Sequence, residues 1–265
     1  MNKVSGLLGY ILVGAFIYVC VTKFTSNPEL FINSHGLIIV IGGLFVAAVA
    51  SFPMALLFQS VGALIKSLGP RGRVNTKVAE EIVAVAKAQQ KGMAELDKIS
   101  AGIRDPFLKQ AVNLILEGIQ LQTIQEILNK RIEERSAATN TQMNVFLTLS
   151  KYSPALGLAA TVLGLVDLLG QLASADMGKL GYGMAVALSA TFYGIVLSNL
   201  VFAPLSEMIM TSGEIEVREM EMVRDGIQAL IEKKNSLVVG EIVNSYIEEN
   251  RRIDFTKVTK INNAA

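Results

Sequence analysis

The sequence predicts an all-α membrane protein: four transmembrane helices, with a helical cytoplasmic domain formed by the loop between spans two and three and by the C-terminal tail. Three observations predict it. Hydrophobic residues make up 51% of the 265 and charged residues only 18%, and the mean hydropathy of +0.46 is too apolar for an ordinary soluble domain of this length. Four apolar windows, about residues 5–22, 36–58, 146–172 and 180–205, approach the ~20 residues needed to cross a bilayer. Most of the charges gather between the second and third windows and after the fourth. The chain thus divides into a transmembrane hairpin (1–65), a cytoplasmic helical domain (66–145), a second hairpin (146–205) and a cytoplasmic helical tail (206–265).

The first window follows Lys3 and resembles a secretory signal, but the run from Gly6 to Val21 lacks a small-x-small cleavage site before Lys23 and reads as a retained span. Cys20, the single cysteine, cannot form an intrachain disulfide and reads as a small buried apolar residue. Short links, "KFTSNPELFINSH" and "ASADMGKLGYG", join spans one to two and three to four as hairpins on one side of the membrane. Lys66, Arg71, Arg73 and Lys77 follow span two closely, whereas each link carries a single lysine. The positive-inside rule therefore places both charged pieces and both termini on the cytoplasmic side of the membrane. Pro53 should kink the continuation of span two, because its ring removes a backbone donor and crowds the preceding turn.

The cytoplasmic pieces read as short amphipathic helices. "NTKVAEEIVAVAKAQQKG" has a start signal at Asn75/Thr76, acidic residues in its first turn, Val78, Ile82, Val85 and Ala86 at helical spacing, and Gly92 as a stop. A second helix starts at Pro106 and ends at Gly118, and a third opens with Thr123 and a Glu126 three residues later. The tail repeats the pattern in "GEIEVREMEMVRDGIQALIEKK" and "SLVVGEIVNSYIEENRRI", and its last segment should fray. Spans two, three and four run into these helices without strong breakers.

Several function classes are excluded. A net charge of +1 offers no broad basic surface for nucleic acid. One cysteine and one histidine make no structural zinc set, and "GPRGR" lacks the strand and the Lys-Ser/Thr of a phosphate cradle. His35 sits at the edge of span two as an interfacial residue, and no Ser-His-Asp set exists. The polar groups in the membrane are few: Thr161, Asp167, Ser189, Thr191, Ser198 and Asn199. A threonine in a span commonly bonds its own helix backbone, whereas an aspartate there is a functional candidate unless it reaches the headgroups.

"SPALGLAATVLGLVDLLGQL" and "LGYGMAVALSATFYGIVLSNLVFAPLSE" resemble the paired third and fourth spans of flagellar stator ring subunits of the MotA/TolQ/ExbB family. The resemblance rests on Pro154, on Thr161 with Gly164, on "TFYG" from Thr191 to Gly194, and on Pro204. Four spans with a large loop after the second are more similar to MotA and PomA than to the three-span TolQ and ExbB. The resemblance implies no enzyme and no cofactor, only a transported cation, H+ or Na+. It implies a homopentamer in membrane lipid around two copies of a MotB/PomB-like, peptidoglycan-anchored partner, pushing on the rotor protein FliG. On that basis Pro154, Thr161, Thr191 and Pro204 border the ion path. Asp167 departs from the family, standing where a neutral polar residue is more usual, and reads as lining the outer ion entry. Gly157, Ala160, Gly164, Tyr193 and Gly194 would pack against the partner's helices, since small residues permit close backbone approach. Pro154 leaves a carbonyl one turn earlier for a cation or water, and threonine hydroxyls can replace part of a hydration shell without fixed charge.

The rotor-facing pattern departs from the family, because Gln89 stands where a basic residue is usual while Asp97 keeps the acid. Lys87 and Lys91, one turn apart, could supply the charge, or form a solvated face. Two other readings compete: a TolQ/ExbB-like energiser of gliding or outer-membrane transport, and a membrane scaffold without conductance.

Overall fold

The computed structural model describes residues 3–24, 31, 34–69, 73–171 and 177–255, and every regular element among them is helical. The central parts of both hairpin links, Arg71, the side chain of Cys20 and the tail beyond Phe255 lie outside the described residues. The chain separates into two compact units, residues 1–70 with 139–211 and residues 71–138 with 212–265.

The first unit holds α1 (Lys3–Phe24), α2 (Ser34–Ser51), α3 (Met54–Ser67), much of α7 (Leu121–Gln171), α8 (Met177–Val196), a π-helical turn (Leu197–Phe202) and the start of α9 (Ala203–Ile231). Apolar side chains run all the way round α2, but only Gly36, Val40, Leu44 and Ala48 are buried, a stripe at four-residue steps. That stripe meets α7 and α8: Val40 and Leu44 cluster with Ala160 and Ala190, and a Cβ on Gly36 would sit 3.2 Å from that of Ala190. Ile38, Phe45 and Val46 stay about two-thirds exposed, at 68%, 66% and 66%. A helix apolar on every side, with one stripe covered by its own chain, needs a non-aqueous surrounding for the rest. Among the described residues three stretches are long and apolar enough to cross a membrane, by length and composition: Ser34–Ser51, Leu121–Gly170 and Leu180–Ile231. Shorter apolar helical stretches cover Ile11–Lys23 and Met54–Ser67.

Pro53 does more than kink its helix. α2 ends at Ser51, the Phe52 amide makes the last bond to the Ala48 carbonyl at 3.0 Å, and Pro53 takes an extended ψ of 140° as the residue before α3. The ring pushes the preceding residue out of the helical region, so one expected helix becomes two.

The second unit holds α4 (Thr76–Lys91), α5 (Met93–Ser100), α6 (Pro106–Leu116), the first part of α7, the rest of α9 and α10 (Ser236–Asn244). Ile82, Leu96, Leu108, Leu128, Met222 and Leu230 are fully buried and form the centre of its core. Side-chain caps start the short helices: Asn75 accepts from the Lys77 amide, Asp105 from Leu108 and Asn235 from Leu237. Each such cap is worth ~1 kcal/mol. Burial pushes the Asp105 carboxyl up, against the lowering effect of the Leu108 and Phe107 amides. Arg135 and Glu216 pair at 2.6 Å, linking α7 to α9 within this unit.

Two local readings shift. α4 begins at Thr76, so Glu80 and Glu81 fall beyond the first turn, and the Glu81 carboxylate instead accepts from the Arg104 and Asp105 amides, 3.3 Å each, ahead of α6. α7 begins at Leu121, so Thr123 lies inside the helix and cannot act as its cap. From there α7 continues unbroken through Pro154 for 51 residues.

Candidate functional site

In the first unit a set of hydroxyls and carbonyls meets where α7 packs on α8 and the π turn. Thr161 of α7 and Thr191 of α8 are both half-buried, and their hydroxyls hydrogen-bond each other. Thr161 Oγ1 is also 3.1 Å from the Gly157 carbonyl of its own helix and 2.9 Å from the Ala187 carbonyl of α8, and Thr191 Oγ1 is 3.4 Å from Gly157 O. The backbone-bonding reading of Thr161 therefore holds, and the structure adds its hydrogen bond to Thr191. Two hydroxyls and two carbonyls make a cluster of neutral oxygens with two protons to donate and lone pairs to spare. Such a set can solvate a cation without holding it by fixed charge.

The helices come this close because glycine lines the contact. A Cβ on Gly157 would lie 2.9 Å from the Ala190 carbonyl, one on Gly164 2.9 Å from the Ala187 Cβ, and one on Gly194 2.7 Å from the Ser153 carbonyl. Any side chain there would push α7 and α8 apart. Ala160 is 2% exposed, and Tyr193 donates its hydroxyl to the Phe31 carbonyl. All five residues expected against a partner helix have neighbours within their own chain, the small ones where helices approach closely.

Pro154 sits two turns from Thr161 and has no N–H to give the Ser150 carbonyl. The sequence leaves that carbonyl unpaired, whereas the structure gives it a donor. The Ser198 hydroxyl donates to it at 2.7 Å, with both serines buried. Ser198 belongs to the π turn, in which the Ala203 amide reaches back five residues to the Ser198 carbonyl. Pro204 follows directly, half-buried, and the widened turn removes the tight i−4 geometry its ring would otherwise meet. Neither the π turn nor the Ser198 bond was read from the sequence. The signal was the spacing itself, since a proline inside an apolar helix orphans the carbonyl four residues earlier.

Asp167 is exposed on α7, about 9 Å along the axis from Thr161 and outside the oxygen cluster. In the second unit, Lys87 and Gln89 are half-buried on α4, Lys91 is exposed at its last position, and Asp97 is exposed on α5. Gly92 between them has φ of 120°, a conformation that glycine alone adopts cheaply, and it turns α4 into α5.

The family profile described as MotA/TolQ/ExbB proton channel family matches residues 99–222. Chemotaxis protein PomA of Vibrio alginolyticus is 26% identical over 248 residues, covering 93% of this chain and 96% of its own. The protein YtxD of Bacillus subtilis (strain 168) is 30% identical over 237 residues, covering 89% and 85%. The fold matches the structure of C. jejuni MotAB with a TM-score of 0.86 at 22% identity, over 95% of this chain and 98% of that one. A run of matches over nearly the full length, with the proline, threonines and glycines in one oxygen-lined seam, means that this chain belongs to the MotA/TolQ/ExbB proton channel family.

Proposed function

We propose that the chain is the ring-forming subunit of an ion-driven flagellar stator. Five copies surround two copies of a MotB/PomB-like partner in the bacterial inner membrane, cations pass between ring and partner, and the ring pushes on FliG. Four spans, α1, α2, the apolar part of α7 and α8 with its π turn, cross the bilayer. The second unit and both termini lie in the cytoplasm. Lys87, Gln89, Lys91 and Asp97 meet the rotor, and Asp167 stands at the outer mouth of the path.

The observation that carries the reading is the mutual hydrogen bond of Thr161 and Thr191 beside the Gly157 carbonyl. Both threonines keep part of their surface open, so a cation held by a partner's carboxylate can exchange water for these oxygens. The test is co-expression with the partner in a non-motile strain. Ion-dependent swimming should return with the native chain and fall at least about tenfold in Thr191→Ala, the loss expected when one charge-assisted hydrogen bond is removed. A silent Thr191→Ala would remove the threonines from the path. Swimming speed against external sodium at constant pH then separates Na+ from H+.

A further inference from the structure

Ser153 is 0% exposed, and its hydroxyl is buried without a hydrogen-bond partner. It differs from several other serines in helices or at their ends. Ser67, Ser100, Ser150, Ser189 and Ser245 each turn the hydroxyl onto the carbonyl three residues back, at 2.6–3.0 Å. For Ser153 that carbonyl is Ser150 O, the one that Pro154 leaves open and that Ser198 already holds from across the seam.

We propose that Ser153 and Ser198 are alternate donors to the Ser150 carbonyl, and that exchange between them gives the α7 seam two hydrogen-bonded registers. The inference rests on the motor reading above. In the register described, the π turn aims Ser198 at Ser150 and Ser153 is idle. In the other, the π turn relaxes to α, which rotates Ser198 by about 100° relative to the helix beyond it. Ser198 then bonds within its own helix, and Ser153 closes onto Ser150 O by the i−3 geometry this chain uses repeatedly.

The carbonyl has a donor in both registers, so neither leaves it orphaned in an apolar seam. Glycine keeps the path between them smooth, because Gly157 and Gly194 present no side chain where α7 and α8 touch. Gly157 O is also within reach of both threonine hydroxyls, so a shift of the seam moves the oxygen cluster with it. Ser153 and Ser198 are positioning residues in this scheme. Neither touches the ion.

The test is a double-mutant cycle, Ser153→Ala, Ser198→Ala and both together, in the full chain with native Pro154 and again with Pro154→Ala. In the native background Ser153→Ala should leave the thermal midpoint unchanged or raise it, and Ser198→Ala should lower it little, because Ser153 takes over. The double variant should lose more than the two singles summed, as only it leaves Ser150 O without a donor. With Pro154→Ala the restored amide holds that carbonyl, and the excess should vanish. Additive midpoints, or an excess that survives Pro154→Ala, would overturn the shared carbonyl. Swimming of the complex supplies the second readout: each single variant should slow it by trapping one register, and Ser198→Thr, which keeps the hydroxyl, should restore speed. Normal swimming in both singles would overturn the exchange. If the excess appears but the native chain with its partner drives no movement at all, the motor reading fails while the shared donor site stands.

Discussion

Pro53 and Pro154 interrupt apolar helices with the same ring and the same missing donor, yet one ends its helix and the other lies inside a helix of 51 residues. The difference lies in the neighbours. Pro53 is exposed, and the chain there gives up helical geometry, taking ψ of 140° before α3 restarts. Pro154 is half-buried against the π turn, which offers the Ser198 hydroxyl to the carbonyl that the ring cannot serve. A proline is tolerated in an apolar helix when another element supplies the lost bond. Where none does, the helix stops and the backbone polar groups reorganise.

The largest expected effect comes from breaking the tolerated proline. Pro154→Leu restores an amide that shares Ser150 O with the buried Ser198 hydroxyl, and puts a longer side chain where α7 packs on Gly194 of α8, so close that a Cβ built on Gly194 would lie 3.3 Å from the Pro154 Cα. Torque should be abolished while the subunit still assembles with its partner. Swimming in soft agar and co-purification of the partner measure the two separately, and a variant that swims normally would remove Pro154 from the ion path.

Next comes the seam that lets Ser198 reach across. Gly194→Ala puts a methyl 2.7 Å from the Ser153 carbonyl, a backbone atom that cannot rotate away. Separating the helices should lower stability by about 1–3 kcal/mol, read as a lower thermal midpoint in detergent. Gly42→Ala, on α2 with nothing within 4 Å, is the matched control and should leave the midpoint unchanged or slightly raised. Equal losses at the two positions would mean that close approach is not what glycine provides at Gly194.

The same contrast explains what could be read in advance. Helix content, the apolar windows, the Asn75 and Asp105 caps and the Gly92 turn are local, fixed by residues within a few positions of one another, and the sequence carries them. The family resemblance placed Thr161 and Thr191 on one path, but their hydrogen bond to each other was not read, because no local pattern ties residues thirty positions apart. The roles of Gly157, Ala160, Gly164 and Gly194 were legible only as close packing. Whether they face a partner or their own neighbour depends on helix rotation, which composition does not encode. Ser198 and Ser153 were invisible for the same reason: their meaning comes from one carbonyl, and that carbonyl matters only once Pro154 and the π turn lie side by side.

The smallest expected effect tests the other proline. Pro53→Ala returns an amide that can reach the Val49 carbonyl and frees Phe52 from the restriction that a following proline imposes. α2 and α3 should then join into one helix. Pro53 is exposed and its ring fills no core, so removing it forfeits little packing, and the gained bond is offset by the wider unfolded ensemble of alanine. The net change in stability should stay within about 1 kcal/mol, with a small rise in helical circular dichroism. A loss as large as that of Pro154→Leu would show that the break after Ser51 is itself required, and that the two prolines differ in function rather than in whether a neighbour supplies a donor.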